Sequence, residues 1–204
     1  GTIGGIPLPV EYVDSVGALA REHDLPLHID GARIFNAATA LKRDVSEVVQ
    51  AADSVMFCLS KGLCAPVGSM LVGRAEFIDR ARRMRKLVGG AMRQVGVLAA
   101  AGLIALDKMT LRLDEDHANA RTLAEGLAAL PQFEIDLSRV QTNMLFFGLR
   151  EDAGITAPEL AARLAEQKIM LMPMGNYAFR AVTHYWIKPD HIEQTLDAIK
   201  EVVS

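Results

Sequence analysis

Leu25-Pro26-Leu27-His28-Ile29-Asp30-Gly31 and Ser54-Val55-Met56-Phe57-Cys58-Leu59-Ser60-Lys61-Gly62 are the two stretches on which the fold turns. Each is a short apolar run, Leu25 to Ile29 and Ser54 to Leu59, that stops abruptly at polar residues, as a buried strand does when its carboxyl end carries polar groups. A third such run is Ser69 to Val72, and a helical stretch around Asp44 to Ala52 separates the first two. Strands this apolar predict cover on both faces, hence an α/β layered and mainly parallel sheet. In such sheets the chemistry collects at the carboxyl ends of the strands.

Outward from these strands, Val10, Val13, Val16, Leu19 and Ala20 recur at helical spacing behind Pro9, which suits a first turn and predicts a helix to Glu22. Ala75 to Val88 reads as a charged helix and Val95 to Met109 as an apolar, buried one. Leu111 to Leu130 reads as a third helix that Pro131 stops. Beyond it, strand-like runs at Phe133 to Ile135, Asn143 to Gly148, Ile169 to Met172 and Phe179 to Ile187 are interleaved with helices at Ala157 to Gln167 and Pro189 to Val203. The expected organisation is a large-domain portion over residues 1–110 and a small α+β domain over 111–204.

The 204 residues are 50% hydrophobic and 23% charged with a formal net charge of −3, which excludes disorder. The longest apolar run, Val95 to Leu106, falls short of the about 20 residues a membrane span needs. No export signal is visible, and Cys58 and Cys64 suit neither a disulfide framework nor a zinc site, so the expected compartment is the cytoplasm. The chain opens on Gly1 and a loop-like Gly-Thr-Ile-Gly-Gly, from which an absent N-terminal portion is expected. Arg80-Ala81-Arg82-Arg83-Met84-Arg85-Lys86 is the strongest local charge, yet a pI of about 6.0, three tyrosines and one tryptophan give it no extended basic face or stacking platform. A solvated helix face is expected there, and no nucleic-acid partner.

Lys61 emerges at a strand end, where a desolvated amine becomes a nucleophile able to form a Schiff base. Taken alone it reads equally as a solvated loop lysine. Asp30 ends the earlier strand, and neighbouring parallel strands bring both residues to one rim. A lysine with an aspartate partner is what proteins contribute to pyridoxal phosphate, the carboxylate keeping the pyridine nitrogen protonated. Asp30-Gly31 reads as well as a simple turn, with the aspartate bonding its own backbone. Arg33 presents a fork suited to a carboxylate or phenolic oxygen, or is a surface residue opening a helix. His28 shares the strand face of Asp30 and either orients it or satisfies a core hydrogen bond. His23, His117 and His191 read as surface residues, and His184 as structural.

The stretch His28-Ile29-Asp30-Gly31-Ala32-Arg33-Ile34-Phe35-Asn36-Ala37-Ala38, with Leu59-Ser60-Lys61-Gly62-Leu63, Pro66-Val67-Gly68-Ser69, Gly4-Gly5 and Arg180-Ala181-Val182-Thr183-His184, resembles the low-specificity L-threonine aldolases. These are fold-type I pyridoxal-phosphate enzymes of the β-eliminating lyase group. The resemblance implies the C-terminal part of a fold-type I large domain followed by a small α+β domain. It implies pyridoxal 5'-phosphate as cofactor, Lys61 as the Schiff-base lysine, Asp30 as the pyridinium partner, and Ser60 and Arg33 beside them on the cofactor. It places Arg180 and Arg33 on the substrate carboxylate, and Lys86 and Arg93 near the phosphate or the substrate entrance. The reaction implied is cleavage of a β-hydroxy-α-amino acid to glycine and an aldehyde in a homodimer or homotetramer. The histidine that stacks on the cofactor in that family and its Gly/Ser/Thr phosphate loop do not occur in these residues, which implies an N-terminal companion segment. An aminotransferase or β-eliminating lyase of the same fold would use the same lysine and aspartate, and a non-catalytic assembly partner is the alternative from another class.

Overall fold

The computed structural model describes residues 4–203. The opening residues 1–3 of the loop-like stretch lie outside the described residues. The chain forms two units: Leu8–Leu113, and the residues from Asp114 onward together with the segment that ends at Pro7. The sequence reading puts the division at residue 110, whereas the units part in the first turn of the long helix and the second unit also takes in the start of the chain.

In the first unit, α1 (Val10–Glu22) opens on Pro9, whose carbonyl accepts from the amides of Tyr12 and Val13. Its one buried residue is Gly17, where a Cβ would stand 2.7 Å from that of Ala51, so the helix lies close against the residues preceding the second strand. β1 (His28–Asp30) and β2 (Ser54–Cys58) run parallel, with Asp30 opposite Met56. β3 (Ser69–Gly73) returns antiparallel to β2, giving the order β1-β2-β3. Between the parallel strands, α2 (Ile34–Leu41) buries Ile34, Asn36 and Ala38, and α3 (Val45–Val48) is a single turn capped by Asp44. The Asp44 carboxylate accepts from the Ser46 amide and hydroxyl, and these bonds hold it below the usual carboxylate range. Phe35 meets Phe57 edge to face at 5.3 Å beneath this layer. The unit continues with α4 (Ala75–Leu87) and α5 (Gly96–Lys108), then a 3-10 turn over Met109–Arg112.

Three expectations fail here for identifiable reasons. The helix read around Asp44 to Ala52 shrinks to four residues, its first turn being all that Asp44 caps. α5 is apolar yet buries only Gly102 and Ala105, leaving Val97 71% and Leu103 62% exposed. Apolar residues lie all round it, so composition predicts burial on every side while this unit covers one. β3 likewise exposes Met70, Leu71 and Val72 in succession, so its two faces are not covered as its apolar run predicts.

The second unit is built on α6 (Leu113–Ala128), α7 (Ala157–Glu166) and α8 (Pro189–Val203) against a four-stranded antiparallel sheet. Its strands β4 (Phe133–Glu134), β5 (Met144–Leu149), β6 (Met172–Pro173) and β7 (Ala178–Val182) are arranged β4-β5-β7-β6. One sheet face sends Leu145, Phe147, Leu149 and Phe179 into a core with Leu127, Leu160, Leu164 and Ile199, and the Phe147 and Phe179 rings stack at 5.1 Å. α7 has a capping box, in which Thr156 and Glu159 each bond the other's backbone amide. β7 is shorter than the run Phe179 to Ile187. It ends where the Thr183 amide donates to the Asn143 carbonyl and its hydroxyl to that of Asp116, which turns the chain out of the sheet. His117 is half-buried rather than a surface residue, and burial pushes its imidazole below the usual histidine value against the opposing pull of Asp116 and Asp114.

Candidate active site

Because β1 and β2 are parallel neighbours, their carboxyl ends lie at one edge of the sheet, and the Gly31 amide donates to the Met56 carbonyl at 2.8 Å just past the last pair. Asp30 is exposed at that edge, its Oδ1 accepting from the Ala32 amide at 3.3 Å. Asp30 therefore bonds its own turn, as the Asp30-Gly31 turn reading expects, through one of its two oxygens. His28 faces across to β2, its Nδ1 hydrogen-bonded with the Ser54 hydroxyl at 2.9 Å, so it ties the two strands together at their start. Arg33 is the N-cap residue of α2, three residues after Asp30.

On the other strand, Ser60 and Lys61 are exposed in a compact loop beyond β2. Leu59 closes it twice, donating to the Gly68 carbonyl and accepting from the Ala65 amide, both at 3.0 Å, while the Cys64 amide donates to the Lys61 carbonyl. Gly62 explains why the loop lies where it does. A Cβ there would stand 2.8 Å from Oδ1 of the buried Asn36 and 3.2 Å from Leu113, so only glycine lets the lysine loop press onto α2, the helix that follows Asp30. Gly31 answers it on the first strand, where a Cβ would sit 3.0 Å from the Met56 carbonyl oxygen. The two glycines that follow Asp30 and Lys61 are sites of close approach, and together they draw both residues' loops onto one helix and one strand pair.

Lys86 lies in the last turn of α4, and Arg93 in the turn before α5; both are exposed. α4 follows β3 and meets it where Phe77 packs at Gly73, on the far side of β2 from Asp30, so these two are not drawn into the Asp30–Lys61 edge by any contact of the unit. Arg180 belongs to the second unit, in the middle of β7 between Phe146 of β5 and Met172 of β6, on the sheet face opposite the phenylalanine core. Its Nη2 rests 3.6 Å from Met144 Sδ, and its buried Nε has no hydrogen-bond partner among the described residues. His184 Nδ1 accepts from the Trp186 amide, the structural use expected of it. Asn36, packed against Gly62, and Met144, in contact with Arg180, carry no role in the sequence reading; Gly62 directly after the lysine is the signal that could have pointed to a tightly packed neighbour.

The fold is that of the type I pyridoxal-phosphate enzymes, and the chain belongs to the beta-eliminating lyase family, whose model matches residues 1–150. Among individual proteins it is similar to low-specificity L-threonine aldolase 1 of Arabidopsis thaliana, at 44% identity over 98% of this chain and 56% of the relative. It is 49% identical to the low specificity L-threonine aldolase of Escherichia coli (strain K12) over 95% of this chain and 56% of the relative. The solved structure of Leishmania major threonine aldolase superposes with a TM-score of 0.74 at 18% identity, over 96% of this chain and 57% of that one. The chain thus spans little more than half the length of the curated relatives it matches. Among the described residues no helix is long and apolar enough to cross a membrane.

Proposed function

We propose that this chain carries the lysine and carboxylate-binding parts of a pyridoxal-phosphate-dependent aldehyde lyase that cleaves L-threonine, L-allo-threonine and related β-hydroxy-α-amino acids to glycine and an aldehyde. The observation that carries the reading is the shared edge of β1 and β2, where Asp30 and Lys61 are both exposed while the glycines after them are locked in place. These residues fit the cofactor chemically: an exposed amine, an exposed carboxylate, and a guanidinium whose buried Nε has no acceptor among the described residues. When bound, pyridoxal phosphate supplies an electron sink for the pair released as a Cα–Cβ bond breaks.

In this reading Lys61 provides the anchoring amine, with Ser60 beside it, and Asp30 holds a proton at the ring nitrogen. Arg33 and Arg180 hold the substrate carboxylate, which fixes the orientation of the bond to be broken; Lys86 and Arg93 act at the phosphate or the entrance. The similarity to curated threonine aldolases at 44 to 49% identity supports the choice of reaction. The exposed apolar residues of β3 and α5 support an assembled state, a homodimer or homotetramer that includes a companion segment able to cover them. Cys58 and Cys64, which form no disulfide among the described residues, accord with a reducing cytoplasm.

The test is direct. The assembled protein with pyridoxal phosphate should turn yellow, and borohydride should fix the cofactor on the peptide containing Lys61. Threonine should then yield glycine and acetaldehyde with no keto acid added. A requirement for a keto-acid acceptor would mean an aminotransferase, and a protein that stays colourless with added cofactor would mean an assembly partner without chemistry.

A further inference from the structure

We infer that Met144 is a positioning residue for Arg180: its thioether, held from behind by the buried Gly5, aims the guanidinium that would take the substrate carboxylate, so the inference rests on that role of Arg180. An arginine side chain has many rotamers to lose, and one on a sheet face needs a restraint before it can hold a ligand in one orientation. The usual restraint is a carboxylate, but an acid would also neutralise the charge meant for the substrate. Arg180 forms no ion pair among the described residues, and its Nη2 is directed instead at Met144 Sδ, a weak, uncharged acceptor. The restraint is obtained without spending the charge.

Met144 is itself fixed to an unusual degree. It is 1% exposed and opens β5 opposite Val182, at the end of the β5–β7 ladder. A Cβ at Gly5 would stand 2.8 Å from its Cε and 2.9 Å from its Cβ, so the start of the chain packs onto the thioether at glycine distance. Gly5 is buried at φ +67, a conformation that also favours glycine, and its carbonyl accepts from the buried Thr142 hydroxyl at 2.7 Å. Between Thr142 and Met144, Asn143 is fully buried, donating from Nδ2 to the Thr183 carbonyl at 2.6 Å and accepting from the Thr183 amide at 2.9 Å. Three consecutive residues thus fasten the chain start, the neighbouring strand and the arginine.

Calorimetric titration of the assembled, cofactor-loaded protein with glycine and with glycinamide reads the carboxylate contribution as a ratio of affinities, independent of turnover. Met144→Leu, which keeps the volume and removes the acceptor, and Gly5→Ala, which displaces the thioether, should each lower the glycine-over-glycinamide ratio by about threefold to tenfold, with glycinamide affinity unchanged. Arg180→Ala should lower the ratio further than either, leaving only what Arg33 contributes. If Arg180→Ala lowers it while both supporting variants keep the wild-type value, the positioning role is wrong and the carboxylate reading of Arg180 stands. If Arg180→Ala leaves the ratio intact, the reading of Arg180 fails and the inference falls with it. Thermal melts check folding, and should Gly5→Ala fail to fold, Met144→Leu decides alone.

Discussion

The two sheets of this protein are held in opposite ways. The four-stranded sheet of the second unit closes on its own core, in which Phe179, Leu127, Leu160, Leu164 and Ile199 are fully buried and two phenylalanine rings stack. The three-stranded sheet of the first unit has only small clusters around Ile34 and Leu63, with β3 exposed residue after residue. Yet the exposed lysine and aspartate sit on the weakly cored sheet. The difference teaches that placement at that edge depends on backbone pairing and two glycine contacts rather than on deep burial, so chemistry and stability should separate by unit.

The sharpest way to break that separation is Lys61→Ala. An exposed strand-end lysine adds little packing, so borohydride labelling and lyase activity should be lost, activity by at least about 10³-fold, while the melt stays within about 0.5 kcal/mol of the parent. A large loss of stability would show that the lysine is structural. Phe179→Ala is the reciprocal test: deleting a fully buried, stacked ring should cost about 3–5 kcal/mol by denaturant unfolding. Gly62→Ala tests the hinge between the two behaviours, because its Cβ would collide with Asn36. It should cost about 1–3 kcal/mol and also slow labelling of Lys61, whereas an effect on stability alone would separate the Gly62 contact from lysine placement.

The smallest effect is a pH dependence confined to the second unit. His117 is held neutral by burial, so its folded value lies below the ordinary 6.5. As pH falls through 6.5 the unfolded chain takes up a proton that the folded one refuses, so stability should decline from there until the folded value is reached. His117→Gln should flatten that part of the stability profile measured by urea unfolding. An unchanged slope would assign it to other groups.

Residues whose role is written in local pattern were legible from sequence. α1, α4, α7 and α8 follow from helical spacing, α1 also from Pro9 at its start, and β2 from an unbroken apolar run. The resemblance supplied Asp30 and Lys61 as a pair, and the parallel register of β1 with β2 puts the two strand ends side by side. What pattern does not carry is which apolar surface meets what. α5 and β3 look like core because hydrophobicity says nothing of whether a covering layer is within reach. Asn36 under Gly62 and Met144 under Arg180 were hidden for a related reason: each touches the site through a contact between residues far apart in sequence, one made by an apolar side chain and the other by a buried amide.

The bond from Thr142 to the Gly5 carbonyl joins residues 137 positions apart. Gly5 precedes every element of the first unit, and Thr142 comes only when the second is half complete. The first unit can therefore form α1 through α5 while Gly5 waits for a partner that lies far along the chain. Closing so wide a loop is entropically slow, and until it closes the Met144 end of β5 stays uncovered. Completion of the second unit is thus tied to a segment that lies on the other side of the first unit in sequence, and refolding experiments should find that contact among the last to form.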